Sequence, residues 1–354
     1  MRDLRKDYVL DKFVVVPPMS DQVSEEKSKE REVKLRDNSQ KCRYCPGNES
    51  MTEPALLALV VKDGMMQRLT DSEDNVVEEW SVRVFESDNP IVTTSSLPAT
   101  TLYTDRPLYS EPAYGYHQIV VAAPGHNDKF SQLSVEQWTN VLVVLQDRIR
   151  WLYTQKSVTY VSIYINSGLD QDVSSAHPHL NILTFSTIPP TIDLEAEGFH
   201  KFMNENGNCP ACSIMSVESS GPRQVLATDS FLAFCPWAPT YPYEFWIFPK
   251  RHITVFSKIT QKEINDLALM LRATLGGMSK ALKDAPFNLV FHLSPEKKNS
   301  KQIHWHIEVY PQVNGWSGLE RGFGVYVNNI KPEKSAEILG SACRKELASL
   351  VGIT

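Results

Sequence analysis

Apolar residues recur along this chain with two periods. Near-alternating runs rich in β-branched and aromatic residues predict strands at 79–87 (EWSVRVFES), 116–124 (YHQIVVAAP), 158–166 (VTYVSIYIN) and 179–185 (HLNILTF). An earlier run, YVLDKFVVV at 8–16, reads as a short strand stopped by Pro17 and Pro18. Further strands are predicted at 231–237, 243–249, 287–295 and 304–311. Two longer segments, 134–156 and 260–282, space their apolar residues at helical intervals. Each opens on a capping pattern, Ser134 with Gln137 and Thr260 with Glu263. Between these elements, 20–41 is charged and nearly without apolar partners, which predicts an exposed loop. The proline-bearing 186–198 reads as a connector.

The order of elements repeats. Ser134 lies eight residues after His126, and Thr260 lies eight after His252. His177 follows His126 by 51 residues, and His304 follows His252 by 52. Each half opens with C-x-x-C and continues through strand, histidine, capped helix, strand and an H-x-H strand. This predicts an α+β fold made of two duplicated units, 1–190 and 191–354, with antiparallel sheets and one long helix per half.

Composition narrows the function. The chain has 354 residues, 42% hydrophobic and 22% charged, which fits a globular protein with room for two cores. A net charge of −6 supplies no overall attraction to nucleic acid or an anionic membrane, so neither is expected as a partner. The N-terminus lacks an apolar signal core, and no run reaches membrane-spanning length, so a cytoplasmic location is expected. Four of the six cysteines form two C-x-x-C pairs, a metal or redox pattern in a cytoplasmic chain.

Two thiolates and two imidazoles make a tetrahedral zinc set. The matched offsets predict one set of Cys42, Cys45, His126 and His177, and a second of Cys209, Cys212, His252 and His304. Closed four-ligand sites of this kind are structural. A single four-cysteine site is the alternative; a thioredoxin-like role for Cys42 and Cys45 lacks the expected βαβ setting.

The stretch S-S-A-H-P-H-L-N at 174–181 carries the chemistry. On a strand His177 and His179 face the same side, so His179 sits beside the metal set without being needed by it. A neutral imidazole with one nitrogen held by a hydrogen bond, here to a carbonyl such as that of His177, is a good nucleophile at neutral pH. Ser174, Ser175 and Asn181 offer donors suited to phosphate oxygens.

These residues, with CRYCPGNES (42–50), PGH (124–126), INSG (165–168), PKRHI (249–253), HWH (304–306) and GFGVYVN (322–328), resemble the galactose-1-phosphate uridylyltransferase family of the histidine-triad superfamily. The resemblance runs along nearly the whole chain. It implies two histidine-triad-like halves and a homodimer with active sites at the subunit interface. It also implies a nucleotidyl-histidine intermediate on His179, with His177 as metal ligand and Asn166 as a substrate-positioning residue. The donor would be a nucleotide sugar and the acceptor a sugar 1-phosphate, as in hexose-1-phosphate uridylyl transfer. A phosphorylase of the ADP-glucose or dinucleoside-polyphosphate type, with inorganic phosphate as acceptor, is the near variant. Iron is the alternative to zinc in the second site. The chain departs from the family pattern H-P-H-x-Q, since Asn181 stands where the glutamine is usual. In the base-contact segment, FESDNP (85–90), Ser87 and Asn89 replace the usual Asn and aromatic residue, leaving Asp88 as the candidate ribose contact.

The remaining histidines have plainer readings. His117 and His292 read as strand-face residues, His200 as part of a solvated linker, and His306 as structural or substrate-adjacent. Trp237, Trp246 and Trp305 read as core. Cys235 and Cys343 read as buried thiols. A zinc-organised nucleotide-binding module without catalysis is the competing functional class.

Overall fold

The computed structural model describes residues 3–6, 13–16, 42–94, 108, 110–168, 177–296 and 302–352. The charged segment 20–41, Ser174 and Ser175 lie outside the described residues. In the first half the strands are β1 (Asp3–Lys6), β2 (Phe13–Val16), β3 (Leu57–Lys62), β4 (Met65–Leu69), β5 (Val82–Glu86), β6 (Ser110–Pro112), β7 (His117–Val121), β8 (Tyr160–Ser167) and β9 (His179–Phe185). Helix α1 (Val135–Thr154) separates β7 from β8. The second half contains α2 (Pro190–Asn206), α3 (Pro210–Glu218), β10 (Gln224–Ala227), β11 (Phe231–Phe234), β12 (Phe245–Pro249), α4 (Gln261–Leu282), β13 (Phe287–His292), β14 (His306–Pro311), α5 (Gly318–Phe323) and α6 (Pro332–Leu350).

Among the described residues, eleven strands join in one antiparallel sheet, ordered β10-β11-β12-β14-β13-β8-β9-β7-β5-β3-β4. The junction is β8 with β13, where Ile165 faces Leu289. Outward from it, β8-β9-β7-β5-β3 mirrors β13-β14-β12-β11-β10. Helices α1 and α4 occupy the same place in each series and pack together, and α6 covers α4. Strands β1, β2 and β6 form a separate three-stranded sheet.

Alternation sorts the two faces of the large sheet. On β9, Leu180 and Ile182 are fully buried toward the helical layer, while His179 and Asn181 point to the other side and are half-buried. Helix α1 returns Val141, Leu142, Leu145, Ile149 and Leu152 to the core at helical spacing. The helices approach closely at Gly277, where a Cβ would stand 2.6 Å from the Cys343 backbone.

Several expectations need correction. Ser134 caps α1 by accepting from the Gln137 backbone N–H, but the Gln137 side chain instead donates to the carbonyls of Ser81 and Ala122. The reciprocal box forms at Thr260 and Glu263. The connector at 186–198 ends in helix: Pro190 occupies the first turn of α2, where its missing N–H is harmless. His200 lies on that helix. Trp237 is not core; it is 76% exposed beneath the Arg223 guanidinium.

Candidate active site and metal clusters

The first cluster begins with a tight turn. Cys45 N–H donates to the Cys42 carbonyl, which also accepts from the Asn48 side chain. This turn packs on Val77, Trp80 and Phe85. His177, fully buried just before β9, places Nδ1 3.8 Å from Cys42 Sγ and 3.6 Å from Cys45 Sγ. His126 Nδ1 lies 3.4 Å from Cys45 Sγ. The His177 Nε2 donates to the Ala123 carbonyl at 2.7 Å, which turns the Nδ1 lone pair toward the thiols.

The second cluster repeats this arrangement with less cover. Cys209 precedes α3 and Cys212 lies in its first turn. Cys212 Sγ is 3.5 Å from His252 Nδ1 and 3.7 Å from His304 Nδ1, and Cys209 Sγ is 3.8 Å from His304 Nδ1. His304 Nε2 donates to the Pro249 carbonyl at 2.9 Å.

The donors in each set fit a tetrahedral metal. Bonds of about 2.0–2.3 Å give tetrahedron edges of roughly 3.3–3.8 Å, the range of the sulfur–nitrogen separations seen here. Burial holds His177 and His304 down to about 4, keeping both in the neutral, ligating form. Burial and the adjacent Cys209 push the Cys212 thiol up to about 11, so thiolates there need a cation to balance them. All six cysteines are free of disulfides.

His179 lies beside the first cluster. Its Nδ1 is 2.8 Å from the His177 carbonyl oxygen, which can only accept. Nδ1 therefore carries the proton and the lone pair sits on Nε2. Tyr44, from the cysteine turn, packs edge-on against this ring at 5.3 Å between centroids. Asn181 follows on the same face, with Oδ1 3.1 Å from His117 Nε2. Asn166, on the adjacent β8, accepts at Oδ1 from Asn288, which in turn accepts from Gln312. Asp88 pairs with Arg43, tying the cysteine turn to the loop after β5.

A third cluster was not foreseen. Glu195 of α2, His292 of β13 and His306 of β14 bring one ligand atom each within 4.8 Å of one another. His292 Nδ1 is 2.8 Å from Glu195, and Glu308 lies 3.3 Å from both histidines. Burial lowers the His292 pKa, but Glu308 and Glu195 outweigh it and raise it overall. This nitrogen and oxygen set could also hold a cation. His306, the second-half counterpart of His179, is only 2% exposed and stacks on Phe248. Its Nε2 faces the carboxylates of Glu195 and Glu308.

Comparison with known proteins finds relatives in sequence and in fold. The family described as galactose-1-phosphate uridyl transferase, N-terminal domain, matches residues 65–189. An ADP-glucose phosphorylase of Arabidopsis thaliana is 28% identical over 95% of this chain and 92% of its own length. A galactose-1-phosphate uridylyltransferase of Thermotoga maritima is 27% identical over 74% of this chain and 85% of its own. A solved uridylyltransferase structure superposes with a TM-score of 0.77 at 22% identity, covering 97% of this chain and 99% of that one, and shows the shared fold.

Proposed function

We propose that the chain is a member of the family of galactose-1-phosphate uridylyltransferases and ADP-glucose phosphorylases, which its family match and relatives support, and that it carries out a nucleotidyl transfer that passes through His179. The observation that carries this reading is the bond from His179 Nδ1–H to the His177 carbonyl. It fixes the tautomer that leaves Nε2 as nucleophile and stabilises the positive ring formed on attack. Nε2 bonds to the α-phosphorus of a nucleoside diphosphate sugar, and the bond from that phosphorus to the bridging oxygen breaks. The electron pair leaves with the sugar 1-phosphate. An oxygen of a second phosphate then attacks the same phosphorus, the N–P bond breaks, and His179 regains its lone pair. Asn181 and Asn166 bind the nucleotide's phosphates, and Asp88 its ribose.

Zinc in the two cysteine–histidine sets fits their soft and borderline donors, with iron the alternative in the second. Held by Cys42, Cys45, His126 and His177, it would fix the cysteine turn and the start of the strand that carries His179, a structural role. Exposed Phe323, Val325 and Val327, 55–79% accessible, favour a homodimer that covers them. No helix among the described residues is long and apolar enough to cross a membrane. Six free thiols fit a cytoplasmic setting.

Two donor–acceptor pairs compete. UDP-glucose with a hexose 1-phosphate matches the matched family's description. ADP-glucose with inorganic phosphate is favoured by the relative that aligns along 95% of the chain. Purified protein supplied with each pair, with product nucleotides separated by chromatography, decides between them. Binding without turnover of either pair would favour the non-catalytic module.

A further inference from the structure

His117 occupies a position that the nucleotidyl-transfer reading leaves unused. It lies on β7 and is 8% exposed, on the same sheet face as His179 and Asn181. Its Nδ1 accepts from the backbone N–H of Ile91 at 3.2 Å, in the loop that follows β5. A backbone N–H can only donate, so Nδ1 of the neutral ring is the acceptor and the proton sits on Nε2. Nε2–H therefore donates, and the Asn181 atom 3.1 Å away is the amide oxygen. That orientation directs the remaining, donating end of the Asn181 amide away from His117. A flipped amide would present its oxygen to an anionic phosphate and repel it.

We propose that His117 is a positioning residue for nucleotide phosphate binding: it converts the fixed N–H of Ile91 into a fixed orientation of the Asn181 amide, whose NH2 then meets the phosphate. The inference rests on the proposed function at the same site. It gives the shorter Asn181 a defined role. A side chain with one fewer methylene has less reach, and His117 holds its donor end on the side where an anion binds. It also couples the loop after β5, which carries the candidate ribose contact Asp88, to the residue next to the nucleophile.

The test measures single-turnover adduct formation with ADP-glucose and UDP-glucose by rapid quench and intact mass. The proteins are wild type, H117F, H117Q, N181A and the double variant H117F/N181A. H117F keeps a ring but makes neither bond, and it should slow adduct formation about tenfold or more, within the loss of a transition-state donor. H117Q restores an amide donor toward Asn181 and should recover to within about threefold of wild type. N181A should match H117F, and the double variant should be no slower than N181A alone. A wild-type rate in H117F, or losses that multiply in the double variant, overturns the proposal. Equal metal content and melting temperature in H117F separate positioning from misfolding. If wild type forms no adduct, the covalent reading fails, and affinity for the two nucleotide sugars decides the positioning claim. H117F and N181A must then weaken binding by the same factor without multiplying; additive losses, or no binding by wild type, overturn it.

Discussion

Asp71→Asn removes one charge from a buried pair while keeping the side-chain shape. Asp71 and Arg83 have side chains only 3% exposed, with Arg83 Nη2 2.8 Å from Asp71 Oδ2. The carboxylate also accepts from the backbone N–H groups of Ala55 at 2.8 Å and Val77 at 2.9 Å. Both oxygens are thus engaged by donors, so an amide must turn its NH2 against one of them. With the amide oxygen at the Oδ2 position, Arg83 and Ala55 keep an acceptor, the NH2 opposes the Val77 N–H, and Arg83, whose Nε and Nη1 have no hydrogen-bond partner among the described residues, loses its counter-charge. Stranding a buried cation in this way costs about 3–5 kcal/mol, a large share of a typical total of about 5–15 kcal/mol. Ala55 and Val77 pack against the Cys42–Cys45 turn, so the loss extends to the metal cluster. Urea unfolding followed by tryptophan fluorescence, with metal release recorded in parallel, measures it. Burial raises the Asp71 pKa, but the two backbone N–H groups and Arg83 outweigh it and hold the carboxyl below its ordinary 3.8. Its contribution is therefore complete above that value and is lost as pH falls through the lower folded pKa. The mutant should lack this acid limb. A change below about 1 kcal/mol at neutral pH would refute the reasoning, since breaking a buried pair is not that cheap.

Three further outcomes are expected. Cys45→Ser, at the thiol that meets both His126 and His177, should lose one metal equivalent relative to wild type by elemental analysis; unchanged metal content would count against the cluster. Gly277→Ala drives a Cβ into the Cys343 backbone between α4 and α6 and should destabilise by about 1–3 kcal/mol in a denaturant titration. Acidification should release metal and lower stability together. Unfolded His177 and His304 take up protons below their ordinary 6.5, whereas the folded rings resist until about 4, so stability falls with pH through that window. Metal content and unfolding free energy that stay flat from pH 7 to the low end of this range would contradict it.

The two cysteine–histidine clusters were legible because their spacing repeats: two C-x-x-C pairs and histidines at matched offsets need no knowledge of the sheet. The same repeat exposed the duplication, and the alternation of 179–185 placed His179 and Asn181 on one face. What joins the halves was not legible. The β8–β13 pairing has no local signal, and Glu195, His292 and His306 meet only because that topology brings α2 over β13 and β14. Prolines at 189 and 190 read as a break, although the second opens a helix. Gln137 had the right identity for a capping box, but nearby strand carbonyls offered its amide better partners. His117 looked like one more strand-face histidine. Its significance depends on the Ile91 N–H, which reaches it from a loop 26 residues earlier.

The most direct test of the central claim is intact-protein mass spectrometry after brief incubation with ADP-glucose and, separately, UDP-glucose. Wild type should gain the mass of one nucleoside monophosphate with one of the two donors. The adduct should be acid-labile and absent from His179→Ala. No adduct with either donor, on protein shown to carry its metal, or an adduct that survives in His179→Ala, would contradict the account.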